Sequence, residues 1–118
     1  MSVTWLWLSA ALMVLTAATH SLLGEKRLIG PLLRDRGGVM ASRLARTIVR
    51  YAWHVTSALM VGSALTVSWP GVPLGLIQGI GAIWLVLGLA SLIASKGRHV
   101  GWPVLSAAGL CACIGASA

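Results

Sequence analysis

The chain of 118 residues has no phenylalanine, one tyrosine and only two acidic residues, Glu25 and Asp35. Charged residues make up 9% of it and hydrophobic ones 58%. No charge precedes Glu25, none lies between Tyr51 and Ser95, and none follows Arg98. Polar side chains this scarce do not cover the surface of a soluble domain. The shortage of acids also removes the mid-membrane carboxylate that a proton-coupled four-helix exporter would use to bind its cation. Asp35 stands alone in a loop and no serine is marked out as a nucleophile, so no Ser-His-Asp set is assembled. The two cysteines, Cys111 and Cys113, sit two apart on an expected helix and point ~200° away from each other. They are therefore expected to pack as small residues and not to form a disulfide. No phosphate-binding glycine loop is present, because Gly79-Ile80-Gly81 lies inside an apolar run.

What is there is four apolar runs, at about 4–23, 46–69, 74–94 and 100–118. A helix of ~20 apolar residues crosses a ~30 Å hydrocarbon layer. Backbone polar groups must be satisfied internally in lipid, and four segments do not close a barrel. The expected fold is an all-α membrane protein: a single domain, residues 1–118, forming a bundle of four transmembrane helices. A cleavable signal peptide would carry a positive charge ahead of its apolar run. Here the charges follow it, and the first helix is expected to stay as a span.

All nine Lys and Arg residues fall within 26–50 or 96–98. The connection at 68–73 and both ends have none. The positive-inside rule therefore makes 24–45 and 95–99 cytoplasmic loops and leaves both termini extracytoplasmic. The basic loops are expected to meet the bilayer and its anionic lipid headgroups; no nucleic-acid-binding pattern accompanies them, so no nucleic acid partner is expected. Trp5, Trp7 and Trp69 fall at the outer boundary and Trp53 and Trp102 at the inner one, with Trp84 packing in mid-span. In the first loop, Leu28, Ile29, Leu32 and Leu33 share one face. They predict a short interfacial helix, interrupted near Gly30-Pro31 and ended by Gly37-Gly38.

Polar residues in the spans fall into stripes. Arg43, Thr47, Arg50, His54 and Ser57 recur at helical spacing, as do Ser9, Thr16 and His20. Gly81, Gly88, Ser91 and Ser95 form a small-residue stripe suited to close helix contact, and Gly75 and Gly79 add a GxxxG pair. The threading brings His20, His54 and His99 to one membrane face, with Glu25, Arg50 and Arg98. His20, Glu25, His54 and His99 are the expected ligands of a metal, zinc or iron, or His20 and His54 the axial ligands of a haem. Arg50, Arg98 and Ser57 are the expected contacts of an anionic or polar ligand, a quinone head or a lipid phosphate among them. Each histidine also has the plainer reading of a hydrated residue at a helix end. His20 and Glu25 point ~140° apart on an unbroken helix, so their meeting requires a break at Gly24.

Three segments, His20-Ser21-Leu22-Leu23-Gly24-Glu25, Arg50-Tyr51-Ala52-Trp53-His54 and Ser95-Lys96-Gly97-Arg98-His99 with Trp102, resemble a family of small, uncharacterised bacterial four-span membrane proteins. Lys96 stands where that pattern has an arginine. The resemblance implies the fold and marks His20, Glu25, His54, Arg98 and His99, but carries no function with it. Three roles remain open: a cytoplasmic-side metal or haem site with a redox or metal-assisted role; a non-enzymatic accessory, quinone-binding or lipid-binding protein; and a small transporter subunit. The small-residue faces also offer a route to a homo-oligomer.

Overall fold

The computed structural model describes residues 1–118 and contains helices and turns but no strand. Helix α1 spans Val3–Gly24, the short α2 Gly30–Arg34, α3 Arg43–Ser68, α4 Leu74–Ser95 and α5 Trp102–Ser117. The sequence explains where the long helices begin and end. Ser42 is extended, and its Oγ accepts the Ala45 N–H at 3.3 Å, which caps α3. The Pro70-Gly71-Val72-Pro73 turn, with Gly71 at φ 81°, separates α3 from α4. Lys96 adopts a left-handed conformation at the end of α4, and the Gly97 N–H bonds back to Leu92 O at 2.9 Å. Pro103 sits in the first turn of α5, where a missing N–H costs nothing.

Helix α1 lies between α3 and α5, and α5 lies between α1 and α4; α3 and α4 barely touch. One core draws on all four long helices, with Leu6, Ala10 and Met13 meeting Ala64, Val67, Ile77, Trp84, Ala108 and Ala112. Trp84 is thus a packing residue, as its mid-run position implied. The α4–α5 contact is a meeting of backbones. A Cβ added to Gly109 would lie 2.5 Å from Gly81 O and 2.9 Å from Leu85 Cα, and one on Gly88 would lie 2.7 Å from Ser106 N. Gly81 and Gly88 therefore do serve close helix contact. Gly75 and Gly79 face open space.

The helix flanks are apolar and uncovered. Only 21 of 118 residues are buried, and Leu22, Leu59, Ile83, Val86 and Ile93 are among the large exposed hydrophobics. Two helices are long and apolar enough to cross a membrane: the continuous helical run Val3–Arg34 and α4. α5 has 16 residues, ~24 Å at helical rise, and is shorter than the run 100–118 led us to expect. α3 has the length, with 26 residues, but begins with Arg43, Arg46 and Arg50.

The two chain ends lie together. Ser2 N donates to Gly115 O at 2.7 Å, and the Met1 ammonium donates to Ala118 O. The cationic connections lie at the opposite end of the bundle, where His20, Arg27, Trp53 and His99 border one cavity.

Candidate functional site at the charged end of the bundle

Helix α1 does not stop at Gly24. It continues through a π-helical turn, Glu25–Ile29, into α2, and the Gly30 N–H bonds to Glu25 O five residues back. A Cβ on Gly30 would sit 2.8 Å from that oxygen, so glycine permits the widened turn. Pro31 follows and has no N–H to offer. The interruption expected near Gly30-Pro31 is thus a widening, and the loop helix prolongs α1 instead of starting afresh. It ends at Arg34, and Gly38–Ala41 forms a 3-10 turn.

Ser21 and Glu25, one helical turn apart, face α3 together. Glu25 Oε1 lies 2.8 Å from an Arg50 terminal nitrogen, and Oε2 lies 3.1 Å from His54 Nε2. On the other side of the ring, His54 Nδ1 lies 2.9 Å from Ser21 Oγ, which lies 2.7 Å from the buried Ser57 Oγ. Ser57, Ser21, His54, Glu25 and Arg50 form one hydrogen-bonded chain. Partial burial pushes the Glu25 carboxyl up. Hydrogen bonds from Arg50 and His54, with the charges they carry, outweigh this and hold it below the usual carboxylate range. The Ser21 hydroxyl has one proton and gives it either to Nδ1 or to Ser57. Protonation of His54 makes Nδ1 a donor and turns Ser21 towards Ser57.

A serine, a histidine and a carboxylate in a row resemble a hydrolytic triad. Ser21, however, lies inside α1, where backbone N–H groups are used by the helix ladder and offer no oxyanion hole. The chain fixes Arg50 and is not built for acyl transfer.

The expected ligand set is divided. Glu25 pairs with His54 without any break at Gly24, and His20 takes no part. The His20 ring stacks on Trp53, with centroids 4.0 Å apart and planes 10° apart, while Trp53 Nε1 donates to His20 O at 2.9 Å. Gly24 makes room for this indole: a Cβ there would lie 2.6 Å from Trp53 Cζ2. His99 accepts or donates at Nδ1 with Ser91 Oγ, 2.9 Å away, and its backbone N–H donates to Ser95 Oγ at 3.1 Å. Arg98 is exposed; its backbone N–H donates to Ser95 O at 3.1 Å, and its side chain makes no hydrogen bond or ion pair. No three His, Cys, Asp or Glu side chains are grouped closely enough to hold a metal ion. Axial haem ligation by His54 is disfavoured as well, since both of its ring nitrogens are engaged. The four expected ligands are not brought together, because His54 turns to Glu25 while His20 is held flat against Trp53.

Ser21 is the member of the network without a separate role at the level of sequence, and Trp53, expected only at the inner boundary, holds His20 outside it. The four-residue spacing of Ser21 and Glu25 was a usable signal. The stripe on α3 is shared between two places: His54 and Ser57 meet α1, and Arg43, Thr47 and Arg50 line a cleft against the first connection.

Fold and site together define an all-helical protein with two helices able to cross a membrane and a polar network at one end. Comparison with protein-family models, with curated proteins and with solved structures finds no match.

Proposed function

We propose that the chain is a four-span protein of a bacterial inner membrane, of the kind its three motifs resemble, with both termini outside. Its role is that of a non-enzymatic accessory protein whose cationic cytoplasmic face holds acidic lipid headgroups. The observation that carries this reading is segregation. All nine Lys and Arg residues lie in or beside the connections at one end of an apolar bundle, and the chain ends meet at the other. The positive-inside rule puts such an end in the cytoplasm.

Burial supports lipid in place of a protein shell. A soluble core helix is mostly covered, whereas 22% of the apolar window of α4 is buried. α5 fits a bilayer by local thinning, at a modest cost per ångström of mismatch. A transporter is less favoured, because polar groups of the outer half are already used: Ser9 Oγ donates to Ala108 O at 2.7 Å, and Gln78 Nε2 to Ser117 Oγ at 3.4 Å. The test is reconstitution in discs of mixed acidic and zwitterionic lipid, with the lipid retained on the purified protein then weighed by native mass spectrometry. Enrichment of acidic lipid supports the reading, and retention in bulk proportion overturns it.

A second reading rests on the cavity of about 280 Å³ beside His20, bordered by Thr16, Thr19, Arg27, Trp53 and His99. His20 Nε2 is buried there without a partner, which is unusual for a polar atom. This favours an organic ligand with a carbonyl or hydroxyl head, of the quinone type. Quenching of Trp53 fluorescence by a short-chain quinone, lost in W53F, supports it; equal quenching in W53F overturns it.

A further inference from the structure

The deepest concentration of charge lies outside the His54 network. Arg34 on α2, Arg36 beyond it, and Arg43, Arg46 and Arg50 on α3 line one cleft of about 670 Å³, floored by Gly30 and Leu33. Three of the five have partners. Arg34 Nε donates to Gly30 O at 3.3 Å, Arg46 donates to Met40 O and Ala41 O at 2.7 and 2.9 Å, and Arg50 pairs with Glu25. Arg36 and Arg43 have neither a hydrogen bond nor an ion pair from their side chains. Asp35, the only other acid, accepts the Gly37 N–H and does not line the cleft.

The lining thus carries five positive charges against the single carboxylate of Glu25, an excess of four. It also lies at the start of α3, whose first turn has no acid and carries arginines where the helix dipole is already positive. Cations there repel the dipole and one another. Arginine forks match phosphate oxygens in pairs, and the Tyr51 hydroxyl is within the same wall, whereas that of Thr47 donates to Arg43 O at 3.0 Å. One phosphodiester, with a single negative charge, would leave most of the excess in place; two phosphate groups within one molecule would at least halve it and supply acceptor oxygens to both free guanidiniums.

We infer that this cleft is a binding site for a molecule bearing two phosphate groups, held by Arg36 and Arg43 with Arg34, Arg46 and Arg50 around it. The inference rests on the acidic-headgroup reading and narrows it to one place and one chemistry. Arg50 belongs both to the cleft and to the Glu25 pair, so an occupant competes with Glu25 for its guanidinium. The chemistry is shared by a lipid with two phosphodiesters and by a soluble diphosphate, and the test separates these sources.

The full chain is placed in discs of zwitterionic lipid. Pyrophosphate is titrated in solution, and diphosphatidylglycerol is titrated into the discs in a separate arm. The double variant R36Q/R43Q changes two exposed side chains without partners and is compared with K96Q/R98Q on the other basic turn. Loss of about tenfold or more in affinity is expected for R36Q/R43Q, with K96Q/R98Q unchanged. Binding of pyrophosphate assigns a soluble ligand, and binding of the lipid alone assigns a lipid; either result with that variant pattern supports the site. Binding of neither probe overturns it, as does equal weakening by both double variants. The broader reading is tested separately by acidic-lipid retention in the wild-type protein, which diffuse charge maintains even if the cleft is not a site.

Discussion

Glu25 Oε2 lies 3.1 Å from His54 Nε2, joining the π turn after α1 to the fourth turn of α3 across 29 residues of chain. The same carboxylate holds Arg50 through its other oxygen at 2.8 Å. Glu25 is the one acid at this charged end that bonds to another helix. It fixes which face α3 turns to α1, and with it the direction in which Arg50 leaves for the cleft.

Glu25 titrates below the usual carboxylate range because Arg50 and His54 favour its charged form over the opposing effect of burial. A lowered folded value means the pairing stabilises the fold above the unfolded carboxylate's pKa. That contribution is lost as pH falls through the lower folded value. Thermal unfolding in mild detergent, followed from neutral pH downward, is expected to show an acid limb in the wild type. E25Q loses this limb and is less stable at neutral pH. An unchanged acid limb in E25Q would break the account of Glu25.

Gly24→Ala is expected to destabilise by about 1–3 kcal/mol, the usual cost of overpacking, because its Cβ would lie 2.6 Å from the Trp53 ring. The stack on His20 should loosen, with a shift in Trp53 emission. Gly79→Ala, where a Cβ meets nothing within 4 Å, is the control. It should be neutral or stabilising by roughly 0.5–1 kcal/mol from helix propensity alone. Equal melting temperatures for the two variants would contradict the packing described.

Gly109→Ala meets backbone on α4, at Gly81 O and Leu85 Cα, and a backbone yields less than a side chain. Destabilisation of at least about 2 kcal/mol is expected, and introduced cysteine pairs across α4 and α5 should cross-link more slowly. Wild-type stability in G109A would show that the two helices do not approach as closely as the structure has them.

The helical class and the separation of charge were legible in the sequence because both follow from composition and placement along the chain. So was the use of Gly81 and Gly88, whose spacing puts them on one face. The pairing at the site was less legible. Taking His20 as the reference, Glu25 points away on an unbroken helix, and a break at Gly24 looked necessary. The relevant pair was Ser21 and Glu25, which share a face, while His20 faces Trp53. The π turn at Glu25–Ile29 left no periodic mark, since one widened turn depends on Gly30 meeting Glu25 O. The arginine cleft needed the path of 34–43 in space, which spacing along the chain does not supply.

The threading on which the cytoplasmic cleft depends is tested most directly by alkaline phosphatase fusions made after Arg36, Gly71, Gly97 and Ala118, since that enzyme is active only outside the cytoplasm. Four spans with both ends outside predict activity at Gly71 and Ala118 and silence at Arg36 and Gly97. Activity at Arg36, or silence at Ala118, would contradict the proposed topology and remove the cleft from the cytoplasmic face.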